Sequence, residues 1–184
     1  MNVTTSVDPR LEGRAVRRIA FDEGAIAARV AELGAEITSA YPGGELLVLG
    51  LLKGSFIFLS DLVRQITRPL HVDFLVASSY GDATVSSGTV RLVYDPETVL
   101  TGKHILLVED IVDSGRTLNR LMDLLRKREP ASLEICALLH KHIAEELRYP
   151  TKFLGFDAPH EFLVGYGLDH AESFRHLPYI ASLQ

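Results

Sequence analysis

The first regular pattern along the chain has the period of a helix. After Asp22, a favourable N-cap residue, apolar side chains recur every three or four positions. They are Ile26, Val30, Leu33 and Ile37. The residues at 41–44, Tyr-Pro-Gly-Gly, end the pattern because proline and glycine interrupt helices. The spacing therefore predicts one amphipathic helix.

A second pattern occurs twice. The continuous apolar runs 46–52 and 105–108 are each followed by a polar turn that contains glycine, and then by apolar residues at helical spacing. Those residues are Phe56, Leu59, Val63 and Ile66 in the first copy, and Leu118, Leu121, Met122 and Leu125 in the second. Strands that are apolar throughout, each followed by an amphipathic helix, are typical of a buried parallel sheet.

Three further apolar segments, 72–77, 89–93 and 133–139, supply additional strands. The predicted fold class is therefore α/β, with a central, mainly parallel, twisted sheet flanked by helices. The chain has 184 residues, of which 47% are hydrophobic and 23% charged, as expected for one domain with a substantial core. Residues 1–14 are polar and show no period, so we expect a flexible N-terminus before a single domain at 15–184.

The net charge restricts the kind of ligand that the protein can bind. A charge of -5 and a pI near 5.8 argue against a nucleic-acid-binding protein, because such proteins neutralise phosphates with clustered Lys and Arg. An anionic ligand must then be held locally, by backbone amides, a few cations or a metal ion.

Cysteine use and hydropathy predict the compartment. Cys136 is the single cysteine and lies in an apolar run, so it is expected to be a small buried residue in a reducing cytoplasm. Residues 1–10 contain no apolar stretch typical of a signal peptide. The longest apolar stretch, 46–59, is interrupted by Lys-Gly-Ser at 53–55, so no membrane span is expected.

The candidate chemistry lies at 105–118, in the sequence ILLVEDIVDSGRTL. In an open parallel sheet, ligands bind beyond the carboxyl ends of the strands. The residues that would form the helix N-terminus are Ser114, Gly115, Arg116 and Thr117. Their amides and hydroxyls suit a phosphate monoester, and glycine permits close approach of the backbone.

Two carboxylates, Glu109 and Asp110, come just before this turn. They would repel a phosphate, but they can accept hydrogen bonds from vicinal hydroxyls or hold a hydrated magnesium ion. A diol beside a phosphate is a ribose phosphate. Alternatively, these acids, with Asp113, only favour the positive end of the helix. Neither the G-x-G-x-x-G motif nor the G-x-x-x-x-G-K-[ST] motif is present after a strand.

The segment 80–88, YGDATVSSG, is small, polar and bounded by glycine. Since it has almost nothing to bury, we expect a mobile loop. Its composition is compatible with a simple connection and with a functional lid.

Several segments together resemble one family. VEDIVDSGRTL resembles the phosphoribosyl pyrophosphate motif of the type I phosphoribosyltransferases. Four further segments resemble the hypoxanthine-guanine members of that family. The pyrophosphate loop is matched by LLKGSFIFLSDL, and the closing loop by SSYGDATVSSG. The stretch with the purine-recognising lysine is matched by LLHK, and the C-terminal hood by EFLVGYGLDHAESFRHLPYI. The similarity extends from about Ile19 to Ile180.

The resemblance implies a type I phosphoribosyltransferase fold, with a core at about 35–150 and a small hood formed by 15–34 and 151–184. It also implies transfer of 5-phosphoribosyl from phosphoribosyl pyrophosphate to N9 of a 6-oxopurine, with magnesium present and pyrophosphate released. Members of the family usually form homodimers or homotetramers.

The resemblance also implies roles for individual residues. Asp113 would exchange a proton with the purine N7. Glu109 and Asp110 would hold the ribose hydroxyls and metal, and the turn from Ser114 to Thr117 would hold the 5-phosphate. Lys53 and Gly54 would meet pyrophosphate, with Arg175 opposite them. The family has a cis peptide before this lysine, here Leu52–Lys53.

Further residues are carried over to the lid and the base pocket. Ser79 and Tyr80 match the residues that close over the ribose, and Asp169 matches a magnesium ligand. Lys141 would donate to the 6-oxo group, Phe162 would stack on the purine, and the carbonyl of Leu163 would accept from the ring. Without the resemblance, a lysine after a strand is usually solvated and a phenylalanine in an apolar run usually belongs to the core.

Two alternatives remain open at this point. A relative that prefers xanthine would share the ribose phosphate turn but differ in the base pocket. A regulator on the same fold would sense phosphoribosyl pyrophosphate and bind RNA or a protein. The acidic net charge and the presence of Asp113, Lys53 and Lys141 weigh against a regulator.

Overall fold

The computed structural model describes residues 8–79, 90–113, 115–141 and 147–184. A short 3-10 helix at Pro9–Leu11 precedes the main elements. The helices are α1 (Glu23–Ala40), α2 (Phe56–Gln65) and α3 (Arg116–Arg126). The strands are β1 (Val16–Phe21), β2 (Leu46–Leu52), β3 (His71–Ser79), β4 (Val90–Tyr94), β5 (His104–Val112), β6 (Ser132–His140), β7 (Thr151–Asp157) and β8 (Ile180–Leu183).

The main sheet has six strands in the order β4-β3-β2-β5-β6-β7. All neighbouring pairs are parallel except β3 and β4, which pair in the antiparallel sense. The predicted mainly parallel α/β fold is confirmed. Because β2 and β5 are neighbours, the turns that follow them meet at one edge of the sheet.

Both faces of the sheet are covered. Leu46 and Val48 of β2 pack in one core cluster with residues of α1 and α2, whereas Leu47 and Leu49 pack in another with residues of α3. Since successive side chains of a strand point to opposite faces, an apolar strand such as β2 supplies both cores. The side chain of Asp22 accepts a hydrogen bond from the Ala25 amide at 2.8 Å, so the predicted N-cap of α1 is confirmed.

The buried face of α2 agrees with the predicted one except at Phe56. Leu59 and Ile66 are buried and Val63 packs against the core, whereas Phe56 is 45% exposed. Phe56 is the first residue of the helix, at its exposed beginning, and the side chains that face the sheet lie at the next positions along the helix. The helical period was predicted correctly, and the predicted burial was wrong only for Phe56.

Segments near the two ends of the chain form a small second sheet. Strands β1 and β8 form an antiparallel pair, and a small core beneath them contains Leu11, Val164, Phe174 and Leu177. Helix α1 instead packs on α2 and β7, and β7 is the outermost parallel strand of the main sheet. Both elements have apolar side chains that join the large core, which places them with the sheet.

Cys136 lies in β6 and is completely buried, as predicted. Burial raises the pKa of its thiol, so this side chain remains a neutral member of the core. No helix in the described ranges combines the length and apolar character needed to cross a membrane.

Candidate active site

A polar cleft of about 380 Å³ lies at the carboxyl ends of β2, β3 and β5. It is lined by residues from the turn after β2, from the end of β5 and the beginning of α3, and from the hood. The predicted site residues on its wall are Lys53, Gly54, Glu109, Asp110, Asp113, Gly115, Thr117, Asp169 and Arg175. The fold thus brings together segments that are far apart in sequence.

The N-terminus of α3 forms one wall of the cleft. Gly115 is the N-cap residue, with a left-handed φ of 71°, and its carbonyl accepts the first helical hydrogen bond from the Asn119 amide at 2.8 Å. This backbone conformation favours glycine. Because glycine has no side chain, the N-cap residue itself cannot occupy the first amides of the helix, and an anion can approach them. Ser114 lies outside the described residues.

Glu109 and Asp110 lie in β5, not in the turn that follows it. Asp110 Oδ1 accepts a hydrogen bond from the Ile111 amide at 2.9 Å. Burial raises the pKa of Asp110 to about 6, although this hydrogen bond and the charge of Arg175 act in the opposite direction. The site therefore holds a carboxyl group that is poorly stabilised in its charged form.

Glu109 is in a similar position. Burial, followed by the charge of Asp110, raises its pKa well above the usual range for a glutamate. Glu109 Oε2 is buried and has no hydrogen-bond partner among the described residues. A ligand that supplies hydroxyl donors or positive charge would stabilise both carboxylates.

The donor set also fits a magnesium ion that is shared with a substrate. The described residues contain no group of three or more Asp, Glu, His or Cys side chains arranged to hold a metal. Magnesium usually keeps several water ligands and binds through one or two carboxylates together with substrate phosphates, so a complete protein cage is not required. Glu109 and Asp110 supply two such carboxylates in the cleft, and Asp169 is a third acid on its wall.

The turn after β2 is packed closely between β5 and the hood. The Leu52–Lys53 peptide is cis, as the resemblance implied. A Cβ atom at Gly54 would overlap the Asp110 carboxylate, and a Cβ atom at Gly167 would overlap the Gly54 carbonyl oxygen. Glycine at positions 54 and 167 permits these two close contacts. They fix the position of the turn relative to Glu109 and Asp110.

Arg175 connects the hood to the same turn. It donates to the Gly167 carbonyl oxygen at 2.8 Å and pairs with Asp169 Oδ1 at 2.9 Å. Glu172, which we did not predict, accepts from Lys53 Nζ at 3.2 Å and lies 3.4 Å from Arg175 Nη2. Two cations thus face each other across one carboxylate.

The predicted base-binding residues Lys141, Phe162 and Leu163 are not among the residues that line the cleft. The amide of Lys141 donates to the Val112 carbonyl at 2.8 Å, which places Lys141 beside the end of β5 and therefore near Asp113. Phe162 is 63% exposed, with its ring edge-on to His170 at a centroid distance of 5.4 Å, and Leu163 is buried. Phe162 is therefore not a core residue, which is unusual for its apolar segment.

The predicted lid is only partly described. Ser79 is the last residue of β3, which ends at the edge of the sheet that bears the cleft. Tyr80 and the rest of the segment 80–88 lie outside the described residues.

Two residues of the hood were missed by sequence reasoning. Gly167 contacts the Lys53 turn, and Glu172 contacts Lys53 and Arg175. The Gly-Tyr-Gly sequence at 165–167 is typical of a tight turn, although we did not predict one there. Nothing in that pattern showed which part of the chain the turn would contact, and Glu172 has no local signal.

Comparisons with known proteins agree on one family. Residues 20–171 match the family model described as phosphoribosyl transferase domain. A hypoxanthine phosphoribosyltransferase of Salmonella typhimurium is 46% identical over 90% of this chain and 94% of its own length. A hypoxanthine-guanine phosphoribosyltransferase of Dictyostelium discoideum is 48% identical over 91% of this chain and 96% of its own length.

A solved structure agrees as well. The crystal structure of a hypoxanthine phosphoribosyltransferase from Staphylococcus aureus superposes with a TM-score of 0.87 at 39% identity, and covers 92% of each chain.

The raised pKa of Asp110 predicts a pH-dependent cost in stability. A carboxyl group whose folded pKa lies above its ordinary value of 3.8 contributes stability that is fully present below that value and is lost as the pH rises through about 6. Asp110→Asn keeps a neutral group at every pH. We expect it to increase the free energy of unfolding of the unliganded protein by about 1–3 kcal/mol at pH 7.5, and by much less at pH 4.5.

Urea denaturation at the two pH values measures this difference. Asp123→Asn is the matched control, because hydrogen bonds from Tyr149 and Arg148 lower the pKa of Asp123, and the same substitution there should give no gain at pH 7.5. An equal gain from Asp110→Asn at both pH values would contradict the assignment.

Proposed function

The chain belongs to the hypoxanthine-guanine phosphoribosyltransferase family, and from this premise we propose how it works as an enzyme of purine salvage. It transfers the 5-phosphoribosyl group from phosphoribosyl pyrophosphate to N9 of hypoxanthine or guanine, and releases pyrophosphate with IMP or GMP. The residue assignments rest on one observation. A pair of buried carboxylates lies beside the N-terminus of α3, where the N-cap residue Gly115 makes no side-chain hydrogen bond.

The two parts of this arrangement bind different parts of one molecule. The amides at the start of α3, from Gly115 to Thr117, with Ser114, hold the 5-phosphate through hydrogen bonds and the positive end of the helix. Arg116 belongs to the same turn. Glu109 and Asp110 accept hydrogen bonds from the ribose hydroxyls, which supply the donors that Glu109 Oε2 lacks among the described residues.

The pyrophosphate end is held by the Lys53 turn and the hood. When the bond between ribose C1 and pyrophosphate breaks, negative charge grows on the leaving group and positive charge grows on the sugar ring. Lys53, the Gly54 backbone and Arg175 lie on the wall that would face the leaving group, and their charges offset the negative charge. Glu109 and Asp110 lie on the side of the sugar, where carboxylates stabilise the positive charge.

Glu109, Asp110 and Asp169 are the residues that would hold a magnesium ion at this site. When bound, it neutralises pyrophosphate charge as a Lewis acid. The protein's own part is to orient the acids. Arg175 holds Asp169 Oδ1 at 2.9 Å, and the Glu172 amide holds Asp169 Oδ2 at 2.8 Å.

Asp113 is the residue that we assign to proton transfer. It lies directly after β5 and on the wall of the cleft, between the ribose acids and the start of α3. In that position it exchanges a proton with the purine N7 as the bond to N9 forms. A carboxylate that faces the base and accepts a hydrogen bond from it also orients the ring.

The base is chosen by the direction of its hydrogen bonds. Lys141, fixed beside the end of β5 by its backbone, can only donate, so it matches a 6-oxo group and leaves the 6-amino group of adenine unpaired. Phe162, with its exposed ring, stacks on the purine, and the Leu163 carbonyl accepts from it. The curated relatives named for hypoxanthine and guanine favour these bases over xanthine, and favour an enzyme over a regulator.

Water must be excluded while the sugar carries positive charge. We assign this task to the segment that begins at Ser79 and Tyr80, since β3 ends at the edge of the sheet where the cleft opens. We also assign the protein to the cytoplasm, because its only cysteine is a buried free thiol and its substrates are intracellular phosphate esters.

A direct assay tests the function. The purified protein is mixed with phosphoribosyl pyrophosphate, magnesium and one of four bases, and nucleotide formation is followed by absorbance, with a magnesium-free control. We expect IMP and GMP, much slower formation of the xanthine nucleotide and no AMP, with activity lost when magnesium is omitted. Preferred use of xanthine or adenine would overturn the base assignment, and no nucleotide with any base would support the regulator.

Asp113→Asn tests the proton transfer. We expect kcat to fall by about 10²–10³, because the amide keeps the shape of the side chain but cannot accept the proton. The dissociation constant for IMP should change by less than about threefold. Asp95→Asn, at a surface carboxylate that pairs with Arg128 at 2.6 Å, is the matched control and should leave kcat unchanged. Full activity of the Asp113 variant would remove Asp113 from the mechanism.

We also propose that the protein forms a homodimer or homotetramer. Val72 and Phe74 of β3 and Tyr94 of β4 are 37–43% exposed, and they share one face of the sheet because Val76 pairs with Tyr94. Such an apolar patch is typical of an interface. Sedimentation should give two or four times the 20.3 kDa of the chain, and Phe74→Lys should lower this mass. A wild-type monomer would contradict the proposal.

A further inference from the structure

The hood meets the Lys53 turn through a contact that depends on backbone position. The hood turn, Gly165–Leu168, is closed by hydrogen bonds between the Gly165 and Leu168 backbones at 2.9 and 3.1 Å. Within it, Tyr166 has a left-handed φ of 51°, although it is not glycine. This conformation is unfavourable for a residue with a side chain, so neighbouring contacts must hold Tyr166 in place.

One such contact is a hydrogen bond to α2. The Tyr166 hydroxyl donates to Asp61 Oδ2 at 2.7 Å, and the other carboxylate oxygen of Asp61 pairs with Arg64. Burial, followed by the hydrogen bond to Asp61, raises the pKa of Tyr166, so the phenol remains a donor. Tyr166 and Asp61 also line a cavity of about 390 Å³ between α1, α2 and the hood. Because packing is incomplete on that side, the hydrogen bond fixes the position of the ring.

The residue after Tyr166 reaches the proposed pyrophosphate site. Gly167 lies against the Gly54 carbonyl, its amide donates to the Arg175 carbonyl at 2.9 Å, and its own carbonyl accepts from Arg175 Nη1 at 2.8 Å. Gly54 in turn leads through Ser55 into α2, which carries Asp61. These contacts form a closed path. It runs from Asp61 to Tyr166, Gly167 and Gly54, and returns to Asp61 along α2.

We propose that Tyr166 and Asp61 are positioning residues that set the spacing between the Lys53 turn and Arg175, and thereby the affinity for the pyrophosphate group. This inference rests on the proposed function, in which Lys53, Gly54 and Arg175 hold pyrophosphate. Neither Tyr166 nor Asp61 lines the cleft, so they act through Gly167 and Arg175 and not by touching the substrate.

Steady-state kinetics in both directions test the proposal. In Tyr166→Phe the ring remains and only the hydroxyl is removed. We expect KM to rise about fivefold to twentyfold for phosphoribosyl pyrophosphate in the forward direction and for pyrophosphate in the reverse direction. The KM values for hypoxanthine and IMP should stay within about twofold, because the start of α3 and the base pocket are not part of the closed path.

Two variants of Asp61 separate positioning from folding. Asp61→Leu removes the acceptor and should reproduce the Tyr166→Phe effect, and the double variant should be no worse than either single variant, since both lose the same bond. Asp61→Asn keeps an oxygen that can accept from the phenol, and should restore most of the affinity for pyrophosphate.

Tyr149→Phe is the matched control. The Tyr149 hydroxyl also donates to an aspartate, Asp123, but on α3 and away from the Lys53 turn. We expect no change in the KM for pyrophosphate in this variant.

The outcomes are distinguishable. If the wild-type protein forms no nucleotide, the proposed function fails. If it does, and Tyr166→Phe leaves the KM for pyrophosphate unchanged or raises all four KM values equally, then the positioning role alone is wrong. The positioning role is also wrong if Tyr149→Phe raises the KM for pyrophosphate as much as Tyr166→Phe does.

Discussion

The site depends on two carboxylates held in a poorly solvated position at the end of β5. Burial raises the pKa values of Glu109 and Asp110, and the charge of Asp110 further disfavours ionisation of Glu109. In an unliganded protein this arrangement costs stability at neutral pH. A ligand that supplies hydroxyl donors and positive charge stabilises these carboxylates and so recovers the lost stability. The site therefore favours ligands with such groups.

The rest of the cleft is built around this pair of acids. The N-terminus of α3 provides donors for an anion in the same cleft, and the hood supplies Arg175. Gly54 lies against both Asp110 and Gly167, so its backbone sets the distance between β5 and the hood. In the proposed reaction, the cations would face the leaving group, the acids would face the sugar and the amides would face the phosphate.

Periodicity predicted the parts of the fold that have strong local signals. The sheet class, α1 with its Asp22 cap, and α3 were predicted because apolar residues at helical or strand spacing dominate those segments. Strands β1, β7 and β8 were not, since they mix polar and apolar residues and are stabilised by their partners. The exposed Phe56 shows the same limit, because a helical period does not determine which neighbours the helix will have. In the site, composition and motif located the acids and the turn before α3. The contact between Gly54 and Gly167 could not be predicted, because the absence of a side chain does not show which residues will meet.

A crystal structure of the protein with bound IMP would show directly whether the buried acids bind the ribose. We predict that the 5-phosphate contacts the amides from Gly115 to Thr117 and that the ribose hydroxyls lie within hydrogen-bond distance of Glu109 and Asp110. Electron density for the nucleotide at another place, with these two carboxylates making no contact to the sugar, would contradict it.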